Sequence, residues 1–280
     1  MKKILVPTDF SKGADSAIKF AMALAKKEKA KIVLIHAFDI SKIIPYMFTP
    51  SLMIEKDIKA NEQSANIKLR ATCYIIRESK IECEYINKEG SAISVILETI
   101  KESKPDLVIM GTKGASGIKE ILMGSQTASI IEKAKCPVIA VPENATFKGI
   151  KKIMYATDYN KNDIKALQEV VEIATLFNAR ITVLHVSDEE FYPFNEKAYL
   201  TDFKNKVEKR IKYKKITYKL AFGKHLTNVI EKQIQKASAN LLAMSTRHRN
   251  LIEKIFDGSV TKKMAFHTRF PLMVFHHKKN

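Results

Sequence analysis

Glycines and hydroxyl residues gather in one segment of the chain, GTKGASGIKEILMGS, which follows a short apolar run. Gly111, Gly114, Gly124 and Ser125 give this segment the spacing G-x2-G-x9-G-S. Glycine lets the backbone approach a sugar or a phosphate that a Cβ atom would block, and it permits positive φ in a turn. A helix that begins at Gly124 would also offer unpaired backbone N–H groups to an anion. The segment therefore predicts a phosphate-binding loop, in which the hydroxyls of Ser125 and Thr127 add donors.

A carboxylate follows the first apolar run of the chain. Asp9 ends the segment KKILVPTD, where its oxygens could accept a hydrogen bond from the exocyclic amine of adenine. Glycine-rich segments also occur as simple turns, so the loop alone leaves both interpretations open. The chain has no G-x4-G-K-[ST] segment, so the chemistry of a P-loop ATPase has no visible basis.

The elements that would carry these residues alternate between two patterns. Short, nearly continuous apolar runs predict strands that are covered on both faces, and amphipathic stretches between them predict helices. The helices are expected to begin at Ser11, near Ser91 and at Gly124. This alternation predicts an α/β fold with a doubly wound parallel sheet, whose ligands bind beyond the carboxyl ends of the strands. The predicted strands are Lys3 to Thr8, Lys31 to Ala37, Ile81 to Ile86, Leu107 to Gly111 and Val138 to Val141.

The chain contains this pattern twice. Asp9 matches Asp158 and His36 matches His185 at one offset, while Gly124 matches a later glycine, Gly258, at a shorter offset. The repeat predicts two homologous domains, residues 1–147 and 148–280. The strands predicted for the second are Ile153 to Thr157, Arg180 to Val186, Ile216 to Ala221, Leu241 to Ser245 and Leu272 to Phe275, with a helix from Gly258.

The second copy departs from the glycine spacing. Ser245 and His248 replace the first two glycines. A histidine adds a side chain where phosphate would lie, and a serine is strained if its backbone needs positive φ. Arg247, His248 and Arg249 are interpreted either as an exposed basic loop in a degenerate site or as residues that bind a small anion, the ligand of the first domain or an acidic partner. The second copy retains the other matching residues, which are Asp158, Gly258 and Ser259. Nucleotide binding is therefore predicted for the first domain alone.

These motifs resemble those of the universal stress protein family. ILVPTDFS, CPVIAVP and the G-x2-G-x9-G-S spacing carry the resemblance, and the repeat extends it over nearly all 280 residues. It implies, for each domain, a five-stranded parallel sheet of order 3-2-1-4-5 with helices on both faces. It also implies that the two domains pair through their last strands, and it leaves a homodimer and an unidentified protein partner open.

The same resemblance implies ATP, accompanied by Mg²⁺, as the ligand of the first domain. Asp9 and the backbone near Ala37 would hold adenine, and Met110 and Gly111 would lie near the ribose. The predicted nucleotide-binding residues are Pro7, Thr8, Asp9, Ala37, Met110, Gly111, Gly114, Gly124, Ser125, Gln126 and Thr127. No catalytic residue and no protein metal ligand is predicted.

The resemblance favours a regulatory or stress-response protein that binds ATP. An enzyme is the first alternative, either a slow ATPase or an adenylyl-transferring protein, for which Lys113, Ser116 and Lys119 are the nearby candidates. A structural pseudo-dimer without nucleotide is the second. His36 and His185 are expected to be structural, because the sequence places no carboxylate beside either of them.

The composition limits the classes of binding partner and the cellular compartment that fit this protein. The formal charge of +18 attracts phosphate-rich partners, but lysines such as Lys204, Lys206, Lys209 and Lys212 are scattered among glutamates, which argues against nucleic acid. No apolar run is long enough to cross a membrane. Three cysteines predict neither a disulfide framework nor a zinc site, and a reducing cytoplasm fits; Cys83 is expected to be half-buried and inert. The apolar segment Ile43 to Ile54 is interpreted as a connection, either a lid, a partner-binding patch or local packing.

Overall fold

The protein is described here by a computed structural model, which describes residues 1–39, 51–112, 124–143, 145, 149–160, 163–187, 193–245 and 270–275. Contacts divide the chain into two compact units. The described residues up to 143 belong to the first domain, and those from 145 onward belong to the second. Within these ranges, no helix has the length and apolar character needed to cross a membrane.

The first domain is a five-stranded parallel sheet with helices between the strands. Its neighbouring strands run in the order β3-β2-β1-β4-β5, which confirms the predicted order. Its elements are β1 Lys3–Pro7, α1 Lys12–Glu28, β2 Lys31–Phe38, α2 Ser51–Glu78, β3 Cys83–Glu89, α3 Ala92–Ser103, β4 Leu107–Gly111, α4 Ser125–Lys133 and β5 Val138–Val141.

The predicted helix starts are present because side chains cap them. The Ser11 hydroxyl accepts a hydrogen bond from the Ala14 N–H at 3.2 Å, and Ser91 accepts in the same way at the start of α3. These caps satisfy backbone donors that the first helical turn leaves without a partner. Strand β1 is buried along Ile4, Leu5 and Val6, as expected for a strand that is covered on both faces.

Helix α2 is an element that the sequence patterns did not locate. It is 28 residues long and begins at Ser51, so the last residues of the segment interpreted as a connection form its first turn. Residues 43–50 of that segment lie outside the described part of the chain. Further along, Ala65, Leu69, Cys73 and Ile76 are buried at helical spacing, which packs one face of α2 on the sheet.

The second domain repeats the same architecture. Its strands run parallel in the order β8-β7-β6-β9-β10. The helix predicted from Gly258 lies outside the described residues. The elements are β6 Lys152–Ala156, α5 Asp163–Phe177, β7 Arg180–Ser187, α6 Pro193–Arg210, β8 Ile216–Phe222, α7 Leu226–Ala237, β9 Leu241–Ser245 and β10 Leu272–Phe275.

A disulfide joins α2 to β3, contrary to the prediction from the cysteine count. Cys73 and Cys83 are bonded with their Cα atoms 5.6 Å apart, and both residues are 1% exposed. The expectation that Cys83 would be half-buried and inert is therefore wrong. A separation of ten residues carries no disulfide signal by itself. The fold creates the pair because the inward face of α2 meets the first residue of the following strand.

The third cysteine has a free thiol. Cys136 is partly exposed. Burial of its thiol, with a further contribution from the nearby Asp106 carboxylate, raises the pKa of Cys136 to about 12. The thiol is therefore protonated and weakly nucleophilic near neutral pH.

Candidate functional site

The turn after β1 holds Asp9 at the carboxyl edge of the first sheet. The Phe10 N–H donates to Thr8 Oγ1 and the Ser11 N–H donates to Asp9 Oδ1, each at 3.1 Å. Phe10 has a φ of 61°, a left-handed conformation that an L-residue adopts only when its surroundings impose it. The two side-chain acceptors supply that constraint, and they leave the Asp9 side chain exposed to solvent.

His36 fixes the same turn from β2. Its Nδ1 lies 2.8 Å from the Thr8 carbonyl oxygen, so Nδ1 must carry the proton, because a carbonyl oxygen only accepts. The ring of Phe10 packs on the imidazole with ring centroids 4.6 Å apart. His36 is thus a hydrogen-bonded structural histidine, as predicted.

Gly111 ends β4 and touches the start of α1. A Cβ atom at Gly111 would lie 2.7 Å from the carbonyl carbon of Gly13 and 2.8 Å from its oxygen, distances that real Cβ atoms do not adopt. Gly111 does not have positive φ. The missing side chain therefore makes room for the protein's own backbone.

Helix α4 starts beside this contact. Gly124 is its N-cap, with φ −63° and ψ 148°, and no side chain caps the helix. The Gly124 N–H donates to the Thr112 carbonyl at 2.7 Å, and the Thr112 N–H donates to Val141 at 2.9 Å. Both ends of the β4–α4 connection are thereby tied to the sheet. Among the described residues, no side chain caps the N–H groups of the first turn of α4.

The first turn of α4 carries three predicted phosphate contacts. Ser125 and Gln126 are exposed. Thr127 is 3% exposed, and its hydroxyl donates to the Gly111 carbonyl oxygen at 2.8 Å. The Thr127 proton is therefore directed at the protein, and the side chain joins α4 to the end of β4.

The remaining predicted residues lie at the ends of neighbouring strands. Pro7 closes β1 and is buried, Ala37 lies near the end of β2, and Met110 is 5% exposed on β4. Because β2, β1 and β4 are adjacent and parallel, their carboxyl ends meet at one edge of the sheet. Gly114 lies outside the described residues, as do Lys113, Ser116 and Lys119.

Sequence reasoning missed two backbone partners of this site, Gly13 and Thr112. A signal for Gly13 was present in the repeat. The positions that match Gly13 and Gly111 in the second copy are Asn162 and Ser245, so both glycines are replaced together. Such a joint change is expected of two residues whose backbones touch. Thr112 gave no signal, because it acts through its backbone.

The second domain builds the same turn with different surroundings. Tyr159 has a φ of 61°, and its N–H donates to Thr157 Oγ1 at 2.9 Å. His185 Nδ1 lies 2.7 Å from the Thr157 carbonyl, and the Tyr159 ring stacks on the imidazole with centroids 4.2 Å apart. Burial, with a further contribution from Glu196, raises the pKa of Tyr159 well above its usual value.

A buried carboxylate lies under the turn of the second domain. Asp163 is 0% exposed at the start of α5. Its Oδ2 accepts hydrogen bonds from the Thr157 hydroxyl at 2.7 Å and from the N–H groups of Asp158 and Asn160 at 3.2 Å. The residue that matches Asp163 in the first copy is Ala14, so the first domain has no carboxyl group at this position.

A second carboxylate contacts His185, contrary to the sequence prediction. Glu196 Oε2 lies 3.3 Å from His185 Nε2, and the Ser187 hydroxyl donates to Glu196 Oε1 at 3.1 Å. The carboxylate thus meets the imidazole nitrogen that does not face the Thr157 carbonyl. The prediction missed Glu196 because the residue comes from α6, which sequence reasoning had not positioned.

Ser245 occupies the position of Gly111 in the second domain. It is 0% exposed and does not have positive φ, so the backbone strain considered from the sequence does not arise. Its hydroxyl has no hydrogen-bond partner among the described residues. A serine is therefore accommodated where the first domain requires glycine.

Comparison with known proteins gives the same family for both halves. The model of the universal stress protein family matches residues 1–142 and again residues 149–276. A universal stress protein from Methanocaldococcus jannaschii is 32% identical over 144 residues, which cover 50% of this chain and 81% of that protein. A second from the same organism is 30% identical over 158 residues, which cover 50% of this chain and 94% of that protein.

Solved structures extend the likeness over both domains. A universal stress protein from Archaeoglobus fulgidus superposes with a TM-score of 0.76 at 18% identity, over 98% of this chain and 96% of that one. A putative universal stress protein from Pseudomonas aeruginosa gives a TM-score of 0.64 at 14% identity, over 99% of this chain and 93% of that one. At these identities the likeness supports the fold.

Proposed function

The chain belongs to the universal stress protein family, and from this premise we propose that its first domain binds ATP and that its second domain does not. Binding serves regulation, since a ligand at a hundred times its dissociation constant stabilises the bound form by about 2.7 kcal/mol. ATP would thereby favour one state of the first domain without any need for hydrolysis.

The start of α4 is the observation that carries this proposal. The N-cap is a glycine, so the helix supplies no side-chain acceptor of its own for its first N–H groups. These groups and the helix dipole are suited to an anion such as a phosphate. Among the described residues, a Cβ atom at Gly124 would meet the Thr112 oxygen, at 3.4 Å, an ordinary contact. The fold therefore does not need glycine here, whereas a phosphate against the helix would.

The opposite end of the strand edge suits adenine. Asp9 is exposed and its backbone is fixed, so a carboxylate oxygen can meet the exocyclic amine, while Ala37 offers backbone groups on the next strand. Met110 and Gly111 lie between these residues and α4, on the path that a ribose would take. This order of subsites is the one that the family resemblance implies.

Mg²⁺ would enter with the nucleotide. No group of three His, Cys, Asp or Glu side chains suited to a metal ion occurs among the described residues. Mg²⁺ keeps several waters and binds nucleotides mainly through phosphate oxygens, so a protein cage is not required. The ion would neutralise charge on the phosphates beside α4.

The carboxylates of the second domain argue against a nucleotide there. Asp163 is buried where the first domain has Ala14, and Glu196 is largely buried, whereas Glu62, which matches it in the repeat, is exposed. A nucleotide at this edge would approach the Asp163 carboxylate, and a low dielectric strengthens the repulsion between like charges. Charge therefore supports an empty second site, in addition to the altered loop sequence.

Gly124→Asp tests the proposal with little risk to the fold. The backbone angles of Gly124 suit any N-cap residue, and aspartate is a favoured one, so the variant should fold as well as the native protein. Its carboxylate would occupy the anion site. Isothermal titration calorimetry should find one ATP per chain in the native protein and at least about a hundredfold weaker binding in the variant, as expected for a like charge near the phosphates.

Gly258→Asp is the matched control, because Gly258 is the repeat partner of Gly124. This variant should bind ATP with native affinity and stoichiometry. Two sites per chain, or loss of binding in Gly258→Asp with retention in Gly124→Asp, would contradict the assignment to the first domain. Absence of binding by the native protein at millimolar ATP would overturn the proposal altogether.

A further inference from the structure

The amino edges of the two domains' sheets, which lie opposite the carboxyl ends of the strands, are built by equivalent backbone hydrogen bonds. In the first domain, the Lys31 N–H donates to the Lys2 carbonyl at 2.8 Å and the Ile32 N–H donates to Glu82 at 2.9 Å. In the second, equivalent bonds run from the N–H of Arg180 to Lys151 at 2.9 Å and from Ile181 to Lys215 at 2.8 Å. Shared backbone bonds therefore match Lys31 with Arg180 and Glu82 with Lys215.

Carboxylates neutralise the amino edge of the first domain. The Lys31 ammonium lies 3.5 Å from Glu82 and forms a closer ion pair with Glu84. The hydrogen bond to Glu84 is the largest influence on the pKa of Lys31, which is raised. The Asp106 carboxylate accepts from two further N–H groups of this edge. Positive and negative groups alternate here, as on an ordinary solvated surface.

The second domain replaces all three acidic groups. Strand register matches Glu84 with Thr217, and equivalent hydrogen bonds match Asp106 with Asn240. With Lys215 in place of Glu82, three carboxylates of the first edge become one ammonium and two uncharged groups. Arg180 thus stands where Lys31 stands, but without a carboxylate beside it.

Further cations join this edge from the end of α6. Tyr213 is held there, because its hydroxyl donates to the Ala179 carbonyl at 2.5 Å and lies 3.3 Å from that of Ala174. The residues on either side of Tyr213 are lysines, and α6 ends in Lys209 and Arg210. We name as the basic edge the exposed residues Lys151, Arg180, Lys209, Arg210, Lys212, Lys214 and Lys215. Within the described chain, none of them forms an ion pair with a carboxylate.

We propose that the basic edge binds the phosphodiester backbone of nucleic acid without regard to base sequence. Clustered cations that lack carboxylate partners gain free energy when they displace the counterions of a polyanion. Regularly spaced phosphates need only such charges, whereas a bound peptide usually needs pockets for anchoring side chains. The exposed large apolar side chains of the described chain lie elsewhere, at Ile67, Tyr74, Ile75 and Tyr199.

The spacing of lysines among glutamates in α6 predicted a solvated helical face and not a nucleic-acid site, and this holds for Lys204 and Lys206. Lys204 lies 3.8 Å from Glu208, and Lys206 pairs with Asp202 at 2.5 Å. These lysines belong to a solvated helical face with alternating charge. The basic edge differs because its cations come from the residue before β6, the start of β7, and the end of α6 with the connection that follows it, which only the fold brings together.

Fluorescence anisotropy with labelled 20-nucleotide RNA and DNA strands, over a series of salt concentrations, tests the proposal. The Lys215→Glu/Thr217→Glu double variant installs the acidic residues of the first domain opposite Arg180. It should bind about tenfold more weakly near 0.1 M salt, and the slope of log affinity against log salt should fall by about 1 to 2. RNA and DNA should behave alike.

Lys197→Glu/Thr201→Glu is the matched control, since it makes the same two kinds of substitution on the exposed face of α6, more than two helical turns before Lys209. It should retain affinity within about twofold. Lys215 also donates to the carbonyl of Asn178, so Lys214→Glu, whose side chain makes no such bond, serves as a second variant. That variant should lower the salt slope by about 1.

Three results would overturn the proposal. Equal losses in the basic-edge variant and in its control would mean that only net charge matters. Undetectable binding of both strands by the native protein in low salt would show that the basic edge does not bind nucleic acid. Competition by poly-glutamate as strong as that by RNA would identify an acidic protein segment as the partner. None of these outcomes bears on ATP binding, which concerns a different domain.

Discussion

The two domains share the hydrogen bonds that build the sheet edges and differ in the charges that the edges carry. His36 and His185 hold the same Thr–Asp–aromatic turn through the same contact. In the first domain, no described side chain caps the helix start at the carboxyl edge, and carboxylates neutralise the amino edge. The second domain has the buried Asp163 and the largely buried Glu196 at its carboxyl edge and cations at its amino edge. The two domains thus share backbone hydrogen bonds but differ in the charges at their sheet edges. The charges at an edge of one domain can therefore be altered without altering the matching edge of the other domain.

The disulfide of the first domain has no counterpart among the described residues of the second domain, and we expect it to have the largest effect on stability. Cys73 in α2 corresponds to the buried Val207 in α6, and Cys83 corresponds to Ile216 by strand register. Closing a loop of ten residues stabilises a fold by about 2–3 kcal/mol through the entropy of the unfolded chain. Cys73→Val should therefore lower the free energy of unfolding of the first domain by that amount.

Hydrogen exchange followed by mass spectrometry reads this effect in each domain separately. Peptides from β3 should lose protection in Cys73→Val and, to a similar extent, in the native protein with reductant. Peptides from β8 should be unchanged and act as an internal control. Equal exchange at β3 with and without the disulfide would show that the bond adds nothing to the stability of this domain.

The glycine that ends β4 should tolerate substitution far less well than the serine that ends β9. Gly111→Ser would force the backbone of Gly13 away, since the new Cβ would lie 2.7 Å from its carbonyl carbon. Overpacking of this kind costs about 1–3 kcal/mol. The prediction is a loss of about 2 kcal/mol in urea unfolding, together with weaker ATP binding because α1 and α4 flank this contact.

Ser245→Gly is the reciprocal change. It removes a buried hydroxyl that lacks a partner, which offsets the entropic penalty of glycine, so the net change should stay below about 1 kcal/mol. A neutral Gly111→Ser, or a Ser245→Gly as destabilising as Gly111→Ser, would remove close packing as the reason for the difference between the two strand ends.

The fold could be predicted because its signals are local and repeated. Apolar runs gave the strands, Ser11 and Ser91 gave the helix starts, and the internal repeat applied each inference twice. Helix α2 was not located from the sequence because its start follows an apolar segment and its inward residues are spaced among many polar ones. Because α2 was not located, the contact between Cys73 and Cys83 could not be predicted. Because α6 was not located either, the contact of Glu196 with His185 could not be predicted.

The site was predicted only in part, since residue types reveal acceptors and glycines but not which atoms they face. Gly111 was singled out for a ligand, yet the structure shows that its absent side chain accommodates Gly13. The hydroxyl of Thr127 was assigned to phosphate, and its proton instead reaches a carbonyl. The basic edge was invisible because residues from three segments approach one another only through strand register.

Thr127 offers a smaller test of how the first site is held. Thr127→Val keeps the shape of the side chain and removes the hydrogen bond to the Gly111 carbonyl, which should lower stability by about 1 kcal/mol. Thr127→Ser keeps the hydroxyl and should recover most of the loss. If the Val variant binds ATP normally once folded, Thr127 acts only by joining α4 to the end of β4; a loss of ATP binding with native stability would instead indicate direct contact.

The smallest expected effect concerns Asp106 and Asn240, which accept equivalent hydrogen bonds at the amino edges. Burial alone would raise the pKa of Asp106, but hydrogen bonds from the N–H groups of Lys2 and Lys3, together with the nearby amino terminus, lower it overall. A depressed carboxyl pKa stabilises the fold above its unfolded value of about 3.9, and that stability is lost as pH falls through the folded pKa.

Asp106→Asn should therefore remove one acid-dependent contribution from the first domain and leave the second untouched. Asn240 Oδ1 accepts its two bonds at 3.0 and 3.1 Å, against 2.6 and 2.8 Å for Asp106, as expected when the acceptor loses its charge. Because Asp106 is mostly solvated, the difference at neutral pH should stay below about 1 kcal/mol. The measurement is urea unfolding of the native protein and the variant between pH 2 and 7, a range that includes the ordinary pKa of aspartate. The free energies of unfolding of the two proteins should converge at the acid end. A difference that stays constant with pH would mean that hydrogen-bond geometry, and not charge, accounts for the whole effect.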